Sequence, residues 1–481
     1  MDRSAIILTT LVAYKLFLIG IGLWAQRRTR DASDYFLGDR QLGPLVAAIS
    51  YSASSSSAWT LLGMSGAAFV MGVSALWLVA GSVSGMLVAW FYVAPRLMQL
   101  SHRNGLLTLT DVVAWDCRGP WRGAIVLTSS VIVLFALSFY VAAQFQGAGN
   151  TFHQTFDLSL TRSITIGAVI ILIYTLLGGF WAVSLTDTIQ GLLMAVAAIL
   201  LPVAALVKIG GFQDFWDGLL AVSSPEQLSL TGRNTGLLAL GFIGGIAGIS
   251  FGTFGQPHLL VRFMALRDGS ALRQARWITI AWFLVVFGGM CFLGLAGHVL
   301  LNTLENPEFV FFAMTDALFP TVVGAILVAA VLSAIMSTAD SQLLVGASVV
   351  AHDLGLTRRF PSRQLLIARM AMIGLTVIAV VISVTLPSTI FQRALLAWTA
   401  LGASFGPLVF FRAASIAVHP AGVFAAIATG FLTATLFHFF PEAATGVIGV
   451  PANLAVTIER VGSFAIGVVI LALFRGDGQR A

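Results

Sequence analysis

Near residue 340 an apolar stretch is interrupted by Ser333, Ser337, Thr338, Asp340 and Ser341. On a helix, Ser337, Asp340 and Ser341 stand at i, i+3 and i+4, so one face presents two hydroxyls and a carboxylate. Oxygen ligands of this kind suit a hard cation such as Na+. A lone carboxylate at the bilayer centre costs about 2.5–3.5 kcal/mol on insertion scales. Asp340 therefore requires a cation or an interior hydrogen-bond set, unless it lies shallow and hydrated near the cytoplasmic end. Asp187 opens another apolar run behind Ser184 and Thr186; taken alone it reads equally as a helix N-terminal cap or an ion relay. Lys15 reads as a snorkelling side chain. Cys117 and Cys291 lack metal-type or disulfide-framework spacing, and no Walker A, HExxH or working GxSxG element occurs. ATP-driven transport and hydrolysis are unsupported, and the chain does not read as an enzyme.

Two apolar runs are weakened where such a site needs free backbone oxygens. Six serines fall between Ser50 and Ser57 and compete with the backbone for hydrogen bonds. Between residues 241 and 258, repeated glycines weaken the helix and Pro257 removes a donor. Unwound backbone survives in lipid only where protein or a water-filled cavity satisfies it. The weak points lie about 195 residues apart, each in the first helix of a five-helix set. Five is odd, so the second set runs inverted, and paired broken helices in inverted repeats point to a midplane substrate site. Ser/Gly packing faces between close helices are the alternative to this broken-helix reading.

The 481 residues are 58% apolar and 10% charged, with mean hydropathy +0.94, whereas a soluble domain is about 25% charged. At roughly 20 residues per crossing, the apolar content allows at most about 14 spans. The predicted fold is an all-α polytopic membrane protein with about 13 transmembrane helices in one transporter domain over 1–481. It comprises an extra N-terminal helix at 5–24, a first five-helix repeat over 43–209, an inverted second repeat over 233–412 and extra C-terminal helices over 418–474. The N-terminal run has no small-residue cleavage site and reads as a retained first helix. Nineteen of the 26 Lys and Arg residues fall in loops on one side. The N-terminus is therefore expected outside and the C-terminus in the cytoplasm. The net charge of +6 is a topology signal of this kind, not a nucleic-acid footprint.

Four stretches then carry a resemblance: Tyr35 to Pro44, Gly178 to Thr188, Phe254 to Met264, and Met336-Ser337-Thr338. Over roughly residues 10 to 412 the chain resembles the sodium/solute symporter family, most of all its bacterial sodium/proline symporters. The resemblance implies LeuT-type inverted five-helix repeats and a sodium site between the second and ninth spans. Backbone carbonyls of Ala53, Ser56 and Ala334 and the hydroxyls of Ser337 and Thr338 would bind Na+ there. Asp187, Ser337, Asp340 and Ser341 match a second cation or coupling site. Ser57, Trp59, Thr253, Phe254 and Pro257 match positions near the substrate, and Arg40 matches a basic gating or coupling residue. Proline symporters carry aspartate where this chain has Ser55, tryptophan where it has Ile249, tyrosine where it has Thr253 and a small hydroxyl residue where it has Asp340. These differences suggest that the negative charge has moved from position 55 to position 340.

The expected protein is a bacterial inner-membrane symporter importing a small organic solute, L-proline or a related amino acid, with Na+. Its partners would be the solute, Na+ and the lipid bilayer, with no nucleic acid and no obligate protein partner. One alternative is a carrier of another small organic acid or amine, coupled to sodium or to protons through Asp340 or Asp187. The other is a membrane solute sensor, which would need a separate signalling partner because only Arg475 to Ala481 follow the last span.

Overall fold

A chain this apolar must satisfy its backbone within each segment on entering lipid, and helices do so. The computed structural model describes residues 3–26, 37–177, 179–301, 303–442 and 454–476. No strand occurs among them; the extended pairings are the single bridges Leu42–Leu266 and Val418–Arg475. The basic cluster Arg27, Arg28 and Arg30, with Tyr35, Phe36, Gly178 and Arg480, lies outside the described residues.

The principal helices are α1 (Arg3–Gln26), α2 (Pro44–Ser55), α3 (Ser65–Met71), α4 (Leu76–Val88), α5 (Ala94–Asn104), α6 (Gly119–Phe156), α7 (Leu160–Leu177) and α8 (Phe180–Ile209). There follow α9 (Gly236–Ala247), α10 (Pro257–Ala265), α11 (Gly269–Leu300), α12 (Thr321–Ser348), α13 (Gln364–Thr385), α14 (Ile390–Ala413), α15 (Pro420–Phe439) and α16 (Ser463–Leu473). Eleven helical stretches among the described residues are long and apolar enough to cross a membrane, and Leu160–Leu176 is a shorter apolar one. The stretches holding α12 and α14 have 83% and 89% of their apolar windows buried, so these two form the centre. Leu16, Val131, Ile173, Val207 and Val377 are exposed on the periphery, as a lipid-facing surface requires.

Both expected breaks are present. Helix α2 stops at Ser55, Ser56 turns to φ −105°, ψ 85°, and winding resumes as a wide turn over Trp59–Met64. The serines cause it locally: Ser52 Oγ donates to the Ala48 carbonyl at 2.7 Å and Ser55 Oγ to the Ser52 carbonyl at 2.9 Å. Helix α9 stops at Ala247, tightens over Gly248–Gly255, and extends at Gln256 before Pro257 opens α10. Gln256 Nε2 donates to the carbonyls of Gly252 in the break (3.1 Å) and of Trp398 on the facing helix α14 (3.3 Å).

The glycines let this segment lie backbone-close to α14. A Cβ on Gly252 would stand 1.7 Å from the Trp398 ring, and one on Gly255 2.0 Å from the Leu401 carbonyl oxygen. Gly252→Val is therefore expected to abolish uptake at matched membrane levels. Gly20→Val, in α1 with nothing within 4 Å, is expected to transport normally; equal uptake by the two variants would contradict the packing argument.

Candidate cation and solute site

The last turn of α2 leaves carbonyls without helical partners, and a helix C-terminus carries partial negative charge. Helix α12 meets it with hydroxyls. Ser337 Oγ lies 3.2 Å from both the Ala53 and Ala334 carbonyl oxygens. Thr338 Oγ1 lies 3.1 Å from the Ser54 carbonyl and 3.5 Å from that of Ala53. Four of the five sequence-derived sodium residues are thus brought together: Ala53, Ala334, Ser337 and Thr338. Ser56 lies in the break itself, its hydroxyl buried without a hydrogen-bond partner. The set is neutral and all oxygen, the donor chemistry of a hard cation.

One turn along α12 the environment becomes ionic. Asp187 does not cap a helix: α8 begins at Phe180, so the acid lies two turns inside. It is fully buried and pairs at 3.0 Å with Arg262 of α10, itself 1% exposed. Ser50 and Ser54 donate to Asp187 Oδ2 at 2.8 and 3.1 Å, and Arg262 Nη2 donates to Ser341 Oγ at 2.6 Å. Arg262, counted with the loop arginines in the sequence, is therefore an interior ion-pair residue. Its depth follows from Pro257 restarting a helix toward the core.

Asp340 turns elsewhere. Its Oδ1 accepts from Thr175 of α7, while the Ser55 hydroxyl donates to the Ser52 carbonyl. Ser337 and Ser341 face α2 while Asp340 faces α7, so the hydroxyls and the carboxylate do not share one surface. Lys15 does not snorkel: its ammonium donates to Met336 Sδ and stands 5.3 Å from the Tyr174 ring centroid.

Beside the first break is an aromatic niche. Trp59 sits 5.5 Å from Phe287, 6.2 Å from Phe391 and 6.3 Å from Trp398, centroid to centroid. Its Nε1 donates to the Ser55 carbonyl at 3.2 Å, and Trp398 Nε1 donates to the Ile249 carbonyl at 2.8 Å. Gln144 serves the break from α6, donating to Ser57 Oγ at 3.2 Å and accepting from the Ala58 amide at 3.1 Å. Ser55, Ser57, Trp59 and Ile249 therefore converge. Thr253 is buried in the second break. Phe254 turns away onto Phe410, at 4.7 Å. Pro257 lines a separate small cavity of about 30 Å³ with Thr110, Arg262, Ser341 and Asp353.

Arg40 is not at the niche. It donates to Ser101 Oγ (2.6 Å) and to the carbonyls of Met264 (3.1 Å) and Leu106 (2.9 Å), while the Leu42 amide donates to the Ala265 carbonyl at 3.1 Å. Arg40 and its neighbour Asp39 hold φ of 55° and 51°, a strained backbone for non-glycine residues. This end is also tied by Asp111, 3.2 Å from His352 Nε2. Burial works against the charge on Asp111, but His352 and the Leu107 and Thr108 amides outweigh it and hold the carboxyl below its ordinary range.

Paired broken helices point to the midplane solute site of a secondary transporter, and the chain is similar to known ones. The Sodium:solute symporter family matches residues 35–430. Sodium/proline symporters of Staphylococcus aureus strains bovine RF122 / ET3-1 and JH9 are each 33% identical over 416 residues, covering 83% of this chain and 80% of theirs. The fold is similar to that of a Na+-coupled sialic acid symporter in a substrate-bound outward-open state, with TM-score 0.77 and 16% identity over 98% of this chain and 99% of that one. A nucleobase-cation-symport-1 family transporter in a closed conformation gives TM-score 0.57 at 15% identity, over 92% and 96%. The fold is thus LeuT-like. The chain belongs to the sodium:solute symporter family. It is a multi-pass membrane symporter that takes up a solute with Na+, and not an enzyme.

Proposed function

We propose that this chain imports L-proline or a related amino acid with Na+ across a bacterial inner membrane, its N-terminus outside and its C-terminus cytoplasmic. The observation that supports this most is the meeting of the Ser337 and Thr338 hydroxyls with the Ala53 and Ser54 carbonyls at the α2 break. Na+ binds there, pinning the end of α2 to α12. The solute lies beside it, its apolar body against Trp59 and Trp398 and its polar groups toward Ser57, Gln144 and the open backbone of the two breaks.

Two inverted five-helix sets, 43–209 and 233–412, then rock between outward and inward access. Thirteen crossings fit this reading. The continuous stretch Trp59–Asn104 has 46 residues, about 69 Å of helix, and Gly72 at φ +65° divides it into two passes. Leu160–Leu176 supplies another. The Arg40 latch holds α5 and α10 together and releases when the cytoplasmic side opens. A membrane potential of ~100 mV contributes ~2.3 kcal/mol per charge. A tenfold sodium gradient adds roughly 1.4 kcal/mol, so one ion sustains about 500-fold accumulation.

Uptake of an amino-acid panel into proteoliposomes, with Na+ or K+ outside, tests the reading. Proline uptake that requires Na+ is the expected result. Na+-driven uptake of another amino acid that proline does not compete with would reject proline alone. Uptake indifferent to Na+ but abolished by a protonophore would reject the coupling.

A further inference from the structure

Asp340 and Lys15 are two charged side chains inside membrane-spanning helices, and neither takes part in the cage or the niche. Helix α1 lies along α12, where the Tyr14 hydroxyl meets Ser333 Oγ at 2.5 Å. The Lys15 ammonium rests on Met336 and over Tyr174. Met336 is one helical turn before Asp340, on the same face, and Tyr174 is next to Thr175, which donates to Asp340 Oδ1. The ammonium thus touches the neighbours of Asp340 on both α12 and α7. No direct ion pair joins Lys15 to Asp340, and Asp340 Oδ2 is buried with no hydrogen-bond partner. A thioether is a weak acceptor for an ammonium, so Met336 alone does not account for a cation held at this depth; the field of the acid does.

We propose that Lys15 is the resident cation of Asp340, a tethered ammonium standing in for a second sodium ion, so that one Na+ binds per transport cycle. This rests on the reading that Na+ occupies the Ser337–Thr338 cage. The charge balance supports it. Asp187, the other acid close enough to act on Asp340, is neutralised by Arg262 at 3.0 Å. Two acids and two cations cancel, and a free ion entering beside Asp340 would have to displace or repel an ammonium already there. The remaining cage is neutral and holds one ion by carbonyls and hydroxyls. The tether also links α1 to α12.

The test is the Na+ dependence of uptake in proteoliposomes for wild type, Lys15→Arg, Lys15→Met, Asp340→Asn and the double variant Lys15→Met/Asp340→Asn. Wild type and Lys15→Arg are expected to show a Hill coefficient near one. Lys15→Met, which bares Asp340, is expected to lose about tenfold or more of uptake at low Na+ and to recover at high Na+ with a Hill coefficient approaching two. The double variant is expected to return to a coefficient near one and to within about threefold of wild-type uptake. Lys15→Met and Asp340→Asn both matching wild type would overturn the proposal, as would a double variant no better than either single one. Should Lys15→Met fail to reach the membrane, recovery or failure of the double variant decides. A wild type indifferent to Na+ would instead sink the cage reading beneath it.

Discussion

Ser337→Ala is expected to raise the Na+ concentration for half-maximal uptake by about 10- to 100-fold. The lost hydroxyl touches carbonyl oxygens from both sides of the cage, Ala53 on α2 and Ala334 on α12. A polar contact to a charged group contributes about 1.5–3 kcal/mol, and each 1.4 kcal/mol is tenfold in affinity. Thr338→Ala is expected to behave alike, because Thr338 Oγ1 stands 3.1 Å from the Ser54 carbonyl. Thr338→Ser keeps the oxygen and should stay within about threefold of wild type. Sodium titration of uptake at fixed solute checks all three, and an unshifted Ser337→Ala curve would remove that hydroxyl from the cage.

The largest loss of stability is expected from Arg262→Met. The guanidinium is the sole cation paired with Asp187 among the described residues, and both side chains are withdrawn from solvent. Removing one member of a buried ion pair typically costs about 3–5 kcal/mol, because the remaining charge is left uncompensated. Ser50, Ser54 and Ser341 would lose a shared donor as well. The double variant Arg262→Met/Asp187→Asn removes both charges and is expected to regain more than half of the loss. Denaturant unfolding of purified protein in one detergent checks it. A single variant as stable as wild type, or a double variant less stable than the single one, would contradict the pairing.

The breaks were legible because their causes are local. Serines back-bonding at Ser52 and Ser55, and glycines closed by Pro257, act within a few residues, so sequence alone locates them. Ser337 is legible from its spacing with Asp340 and Ser341, whereas Thr338 and the carbonyls of Ala53, Ser56 and Ala334 enter only through the resemblance. What could not be read depends on depth and facing. Arg262 counts as a loop charge when topology is scored by arginine number, since the count is blind to a helix that re-enters the core after Pro257. Its signal was present as a lone arginine in the apolar α10 sequence. Asp187 resembles a cap because the apolar run it opens in the sequence hides a helix that already starts at Phe180. Lys15 resembled a snorkelling residue because the apolar sequence of α1 does not reveal which face meets α12. Gln144 and Trp398 are single residues on long apolar helices, and only the packed structure brings them to Ser57 and Ile249.

Binding of radiolabelled sodium to the purified protein, without added solute, bears most directly on the cage at the α2 break. Wild type is expected to bind Na+ saturably, and Ser337→Ala/Thr338→Ala is expected to lose that binding while keeping the unfolding profile of the native fold. Unchanged sodium binding by the folded double variant would contradict it.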